Sequence, residues 1–196
     1  EFRRVLFRSW RVALGAGAAL PALSWVLALW SMRATPNVIH PRPAGISVLA
    51  AVPAVLRNRK GMYSVWAYTC HSWEILGLWA WLPAFMTAAL LAHGSGPAAA
   101  AAMGLTLSAL TYLANIAGSI TGGTMADHWG RNRAIMLWSC VSLFLSFTIG
   151  WQIALPVGLL VAIACLYNFA AVADSSVHSV VIAEHVRSEE HTSELQ

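Results

Sequence analysis

The sequence is poor in charged residues, which make up only 10% of its 196 residues. A soluble domain usually carries about 25% charged residues, because they cover much of a water-facing surface. Hydrophobic residues make up 58% of the chain, and they lie in long runs. The period-2 alternation of a membrane β-barrel is missing. This composition argues against a soluble fold and against a barrel, and it predicts an all-α membrane protein.

The sequence also lacks the residue spacings that mark metal, disulfide and catalytic sites. Its three cysteines, Cys70, Cys140 and Cys165, lie far apart within apolar runs and form no CxxC pair. No P-loop, GxGxxG motif or nucleophile elbow is present, and the loop histidines are not spaced as metal ligands. The sequence therefore predicts no metal site and no cofactor, and it gives no sign of an enzyme.

The two ends of the chain have an unusual relation to each other. Residues 187–195 read RSEEHTSEL, and a DNA can be chosen for them whose reverse complement encodes EFRRVLFRS, the sequence of residues 1–9. One DNA duplex read in both directions thus accounts for both ends, and the string is similar to a common sequencing adapter. We therefore expect residues 1–9 and 187–196 to be non-native and leave them out of the fold prediction. A chance pairing of a basic start with an acidic tail is the alternative.

Apolar runs predict about five transmembrane helices, since a helix needs about 20 mostly apolar residues to cross a bilayer. The predicted spans are residues 12–32, 63–91, 98–125, 134–150 and 155–173. Residues 10–34 then form a first membrane helix, 35–62 a long linker, and 63–186 four further helices. Within the third span, Gly118 and Gly122 are four residues apart, as are Ser119 and Gly123, and such small residues predict close contact between helices.

The basic residues alternate between the predicted loops. Five of them lie between the first and second spans, and Arg131 and Arg133 lie between the third and fourth, whereas the other two loops contain no Lys or Arg. Because cytoplasmic loops carry an excess of Lys and Arg, the basic loops are predicted to lie in the cytoplasm. The net charge of +4 is thus interpreted as a membrane signal, with the lipid bilayer as partner and no nucleic acid. We expect a multi-pass protein of the cytoplasmic (inner) cell membrane.

The junction of the third and fourth spans carries the strongest motif, Gly123-Thr-Met-Ala-Asp127-His-Trp-Gly130-Arg131-Asn-Arg133. Gly123 would allow helix backbones to approach, and Gly130 would allow a tight turn with positive φ. Asp127 can cap a neighbouring helix or pair with a base, and the two arginines can bind anionic headgroups. A loop that only sets topology and caps a helix is the alternative interpretation.

Glu74 is predicted to lie deep in the second span, roughly 11 residues or about 16 Å from its start. An ionisable group at that depth costs at least ~2.5 kcal/mol, which favours a function as proton carrier. His71 lies three residues earlier on the same helix face and can share or relay the proton. Asn115 and Asn168 are polar positions in later spans that can line a solute cavity. A hydrogen bond between helices is the alternative for each of the four.

The junction motif resembles the signature of the major facilitator superfamily (MFS), in which a glycine is followed four residues later by Asp and then by Gly and a basic pair. The match departs from the usual pattern at Thr124, Met125 and His128. The segment 68–86 is similar to the seventh helix of an MFS subgroup labelled nitrate, nitrite or cyanate transporters. The first span with its long basic linker resembles the sixth helix and central loop, and residues 174–178 resemble the exit of the tenth helix.

The resemblance implies a partial MFS fold, with the chain covering approximately helices six to ten of twelve. It implies secondary active or facilitative transport of a small solute by alternating access, with protons as a further option. The missing remainder of the transporter would be a partner, and the chain alone would be inactive. Two groups of residues would act: Glu74, His71, Asn115 and Asn168 on solute or proton, and Gly123, Asp127, Gly130, Arg131 and Arg133 in cytoplasmic gating.

Two other classes of function remain open from the sequence. A membrane-embedded enzyme, such as a lipid-modifying transferase, would need paired His or Asp at a membrane face. Asp174, His178 and His185 are the nearest to such a set, and their spacing is unremarkable. A non-transporting membrane scaffold is the other alternative. The solute, the coupling ion and the oligomeric state are not determined by the sequence.

Overall fold

The computed structural model describes residues 2–33, 52–53 and 56–183. Over these residues the regular structure is helical, and no strand is present. The chain divides into two compact units, residues 1–46 and 47–196. Most of the predicted linker, together with His185 and the segment 187–196, lies outside the described residues.

The described part of the first unit is a long helix, α1, Phe2–Arg33. It includes the whole of the predicted first span, 12–32, with Pro21 inside the helix. A proline is tolerated there when other groups satisfy the backbone carbonyl that it leaves unpaired. The helix also runs through residues 2–9, so the segment that was left out of the fold prediction continues the same helix.

Between residues 58 and 183, the second unit contains six α-helices and a short 3₁₀ turn. Asn58 caps the first of these helices, since its side-chain oxygen accepts a hydrogen bond from the Gly61 amide at 2.7 Å. The helices are α2, Arg59–Ala92; α3, Pro97–Thr111; α4, Ala114–Trp129; α5, Arg131–Thr148; α6, Val157–Ala173; and α7, residues 175–183. The 3₁₀ turn, Ile149–Gln152, extends α5.

Four helical stretches of the second unit are long and apolar enough to cross a membrane. They are Arg59–Ala92, Pro97–Trp129, Arg131–Gln152 and Val157–Ala183. These correspond to the second to fifth predicted spans, so by length and composition the chain has the character of a multi-pass helical membrane protein. The first predicted span lies in α1, whose side chains are described only in part, and is not among the four.

The third predicted span, residues 98–125, is not one continuous α-helix. Tyr112 and Leu113 form a turn between α3 and α4. Their amides donate to carbonyls three residues earlier, Tyr112 to Ala109 and Leu113 to Leu110, at 3.3 and 3.2 Å. This is 3₁₀ geometry, which tightens the chain between the two α-helices. Neither Gly nor Pro marks the position, so no local signal for the break is present in the sequence.

Small residues bring the helices of the second unit into direct backbone contact. A methyl group added at Gly118 or Gly122 of α4 would overlap a backbone carbonyl of α6, and one added at Gly104 of α3 would overlap Thr87 of α2. The predicted close contact at Gly118 and Gly122 is therefore confirmed. Gly123 faces open space, so the close approach expected at that position is wrong.

The apolar core lies where α2, α5 and α6 meet. Its fully or nearly fully buried members include Leu82 and Met86 of α2, Leu145 of α5, and Leu160 and Ala164 of α6. Large apolar side chains also cover the outside of the same helices. Examples are Trp81, Phe144 and Leu76, which are 74%, 66% and 65% exposed. An apolar exterior on this scale fits helices that face lipid.

Candidate functional site

Polar groups gather around an open cavity between α2 and α5, which we call the central cavity. Its volume is about 570 Å³. Glu74 and His71 of α2, Ser139 of α5 and His178 of α7 all line it, among apolar side chains such as Trp73 and Phe147. Two of the four residues predicted to act on solute or proton, Glu74 and His71, thus line one cavity. Ser139 and His178 line it too, although neither was predicted to act on solute or proton.

Glu74 lies near the middle of the 34-residue helix α2. Its carboxylate oxygen Oε1 accepts hydrogen bonds from the hydroxyl of Ser142 on α5 and from the hydroxyl of Tyr167 on α6, the latter at 3.2 Å. The side chain is half-buried and reaches the central cavity. Glu74 therefore links three helices while one side of it remains accessible from the cavity. This position is consistent with a role in proton transfer and equally with a role in linking the helices.

His71, Asp174 and His178 form a second polar group, which we call the His–Asp–His cluster. Asp174 lies in the turn between α6 and α7, so its carboxylate sits between an imidazole from α2 and one from α7. His71 Nδ1 is 3.4 Å from Asp174 Oδ1, and His178 Nε2 is 3.5 Å from Asp174 Oδ2. The three residues are only 8%, 1% and 6% exposed. A carboxylate between two imidazoles can share a proton with them or bind a cation.

Neighbouring hydroxyl groups orient the His–Asp–His cluster. His71 Nε2 is 2.6 Å from Ser175 Oγ, and the Ser139 hydroxyl donates to Asp174 Oδ2 at 2.8 Å. The ring of Tyr68 flanks both imidazoles, with centroid distances of 6.2 Å to His71 and 6.1 Å to His178. These contacts fix which nitrogen of His71 and which oxygen of Asp174 are turned toward each other.

Two of the three cluster residues were grouped together from the sequence. Asp174 and His178 were considered together with His185, which lies outside the described residues, whereas His71 was paired with Glu74. The spacing of Asp174 and His178, four residues apart at a helix start, was a usable local signal. Nothing in the sequence could show that His71 meets them, because only the packing of α2 against α6 and α7 joins these distant positions.

Asn168 is a junction between helices and does not line the central cavity. Its Oδ1 accepts a hydrogen bond from Trp79 Nε1 on α2 at 3.2 Å, and its Nδ2 donates to Thr111 Oγ1 on α3 at 3.1 Å. Nδ2 also donates to the Ala164 carbonyl of its own helix at 3.0 Å. The residue is fully buried. This arrangement favours the helix-linking interpretation that the sequence left open.

Asn115 also lies away from the central cavity, in the first turn of α4. Its Oδ1 is buried and has no hydrogen-bond partner among the residues that the structure describes. The expected cavity-lining role therefore finds no support in its position, and neither does a hydrogen bond from Oδ1 to another described helix.

The predicted gating motif forms the sharp turn between α4 and α5. Gly130 has φ 88° and ψ 144°, which confirms the expected turn with positive φ. Asp127 and Arg133 are exposed, Arg131 is half-buried, and all three border an open depression of about 550 Å³. The start of α5 has no side-chain cap, and no hydrogen bond or ion pair joins the Asp127 side chain to another described residue. The capping or pairing expected of Asp127 is thus not seen among the described residues and stays a prediction.

The Glu74 carboxylate, linked to two hydroxyl groups, thus lines the central cavity, and two imidazoles that also line it flank the buried carboxylate of Asp174. Such groups can bind and release protons or hold a small polar or cationic species within an apolar bundle. The chemistry of these side chains is inferred from their geometry. Comparisons of the chain with protein-family models, with curated proteins and with solved structures found no match.

Proposed function

We propose that the chain is part of a multi-pass transporter of the major facilitator type, which moves a small polar solute across the cytoplasmic membrane by alternating access. Support comes from the four apolar spans, from the MFS-like motif at the α4–α5 turn, and from a mainly apolar cavity of about 570 Å³ between the helices, into which Glu74 and a few other polar side chains reach. Transporters commonly bind their solute near the bilayer midplane, at a cavity between helices.

The observation that carries the proposal is the position of Glu74. It is an ionisable side chain near the middle of an apolar helix, it lines the cavity, and it accepts hydrogen bonds from two other helices. When charged it accepts from both Ser142 and Tyr167, whereas protonation turns one of its oxygens into a donor. Binding of a proton would therefore change contacts among α2, α5 and α6, which is the differential interaction that coupling to a conformational change requires.

In this proposal the α4–α5 turn lies at the cytoplasmic face. Arg131 and Arg133 would anchor it to anionic headgroups, and Gly130 would set its shape. The Asp127 carboxylate is exposed, and no hydrogen bond or ion pair joins it to another described residue. It is therefore accessible to a base on another part of the transporter. Such a contact would latch the cytoplasmic side in one state of the transport cycle.

The test is proton movement driven by solute. The longer transporter of which we propose the chain is part would be reconstituted in liposomes with a pH-sensitive dye, and nitrate, nitrite and cyanate would be added first. We expect Glu74→Gln to abolish solute-driven proton movement, because the amide does not titrate. Ser72→Ala is the matched control, since this hydroxyl donates to the Tyr68 carbonyl of its own helix. Undiminished proton movement in Glu74→Gln would rule out the proposed role.

The burial of the His–Asp–His cluster bears on the enzyme alternative. A lipid-modifying enzyme needs its reacting groups where a lipid can reach them, whereas none of these three residues is more than 8% exposed. This burial favours a role inside the helical bundle, and with it the transport proposal. Turnover of a lipid substrate by the purified protein would reverse this preference.

A further inference from the structure

The ligand atoms of the His–Asp–His cluster lie close enough together to hold one metal ion. Its three candidate ligand atoms all lie within 4.8 Å of one another. Each imidazole faces a different oxygen of Asp174, with His71 Nδ1 at 3.4 Å from Oδ1 and His178 Nε2 at 3.5 Å from Oδ2. Two ligands bound tetrahedrally at about 2.0–2.1 Å are about 3.3–3.4 Å apart. Each of the two distances is thus close to one edge of such a site, and small side-chain rotations would bring the three ligands around a single ion.

One oxygen of the Asp174 carboxylate, Oδ1, lacks the hydrogen-bond partner that a buried polar atom needs. The residue is 1% exposed, and its Oδ1 has no hydrogen-bond partner among the described residues. The facing nitrogen, His71 Nδ1, lies 3.4 Å away without forming a hydrogen bond. A buried charged oxygen left in this way is costly, and a cation held between the carboxylate and the imidazoles would offset the cost.

The neighbours of the cluster are those expected around a metal site. Histidine ligands almost always anchor their second ring nitrogen, and carboxylate ligands accept further hydrogen bonds. Here His71 Nε2 contacts Ser175 Oγ at 2.6 Å, which leaves Nδ1 directed at Asp174. The Ser139 hydroxyl holds the other carboxylate oxygen at 2.8 Å. Both orienting contacts come from outside the three candidate ligands.

The types of ligand select the class of ion. Two imidazoles and one carboxylate suit zinc and its first-row neighbours, whereas Mg²⁺ and Ca²⁺ prefer sets made of oxygen ligands. His71 and His178 line the central cavity, so an ion can reach them from there. We propose that His71, Asp174 and His178 bind one divalent transition-metal ion of the zinc class. Three protein ligands leave a further coordination position for water or a solute group.

Metal binding can be measured on the complete 196-residue chain in detergent, independently of transport. Co²⁺ is the probe, because its visible absorption reports its coordination, and Zn²⁺ and Mg²⁺ serve as competitors. We expect one Co²⁺ per chain, displaced by Zn²⁺ and not by Mg²⁺. His71→Ala, His178→Ala and Asp174→Asn should each weaken binding by at least roughly tenfold. His93→Ala is the matched control, because this exposed histidine ends α2 far from the cluster in sequence.

A variant in which one metal ligand is replaced by another distinguishes loss of metal binding from loss of folding. In His178→Cys the thiolate should bind Co²⁺ and add the near-ultraviolet charge-transfer absorption of a cobalt–sulfur bond, with helical content unchanged by circular dichroism. The absence of saturable Co²⁺ binding to the unsubstituted chain would overturn the proposal. So would equal binding by the unsubstituted chain and the three ligand variants, or an equal loss in His93→Ala. A folded His178→Cys chain without the cobalt–sulfur absorption would also overturn it.

Discussion

At the scale of single residues, Glu74 and Asn168 are both polar groups within apolar helices, yet their surroundings differ. The amide of Asn168 is fully buried, and both its oxygen and its nitrogen are hydrogen-bonded. Glu74 is half-buried and reaches the central cavity. A polar group whose bonding capacity is used within the bundle stabilises the fold, whereas one that is accessible from a cavity can still exchange a proton or bind a solute.

Loss of the Asn168 side chain should therefore destabilise the protein. Asn168→Ala removes one hydrogen bond to α2 and one to α3. Hydrogen bonds between membrane helices contribute about 0.6 kcal/mol on average and up to about 1.7 kcal/mol, so we expect a loss of about 1–3 kcal/mol. The measurement is unfolding in mixed detergent followed by circular dichroism. Thr106→Ala, whose exposed hydroxyl bonds to the Ala102 carbonyl of its own helix, should have little effect. Equal stability of the two variants would contradict the junction role.

At the scale of helices, close packing depends on which glycine faces a neighbour. Gly122 and Gly123 are adjacent, but Gly122 lies against the Ala173 carbonyl and Gly123 faces open space. The repeat of small residues in the sequence predicted that this helix packs closely against another helix. The prediction is confirmed at Gly118 and Gly122. It could not exclude a contact at Gly123, because a small residue favours close approach without requiring it.

The adjacent glycines give a matched pair of variants. Gly122→Ala should destabilise the α4–α6 contact by about 1–3 kcal/mol, because the added methyl group forces the helices apart. Gly123→Ala should be neutral or stabilise by up to about 1 kcal/mol, since alanine is the better helix former. Thermal unfolding in detergent compares the two. A larger loss in Gly123→Ala than in Gly122→Ala would show that the two helices pack through another face.

The break between α3 and α4 is a second feature at this scale. Composition predicted one span over residues 98–125, and the structure has a 3₁₀ turn at Tyr112 and Leu113. The Tyr112 hydroxyl donates to the Trp79 carbonyl of α2 at 3.1 Å, which ties the turn to a neighbouring helix. Packing of this kind is absent from the local sequence, so the break was not predictable from it.

At the scale of the whole molecule, the arginines predict which ends of the helices lie in the cytoplasm. After replacement of the three native cysteines, Asn132→Cys at the α4–α5 turn should react with a membrane-impermeant thiol reagent only after the cells are opened. Ser95→Cys, between α2 and α3, should react in intact cells and is the control of opposite orientation. Labelling of residue 132 from outside intact cells would contradict the proposed topology.

The sequence by itself determined the helical character of the chain, its apolar spans, the sharp turn at Gly130 and the position of Glu74 near the middle of an apolar helix. Each follows from neighbouring residues, because hydrophobic runs and backbone preferences act locally. Only the tertiary structure decided the hydroxyl partners of Glu74, the structural role of Asn168 and the meeting of His71 with Asp174 and His178. These contacts join residues far apart in the chain, and common residues such as serine and asparagine give no signal of their partners until the helices pack.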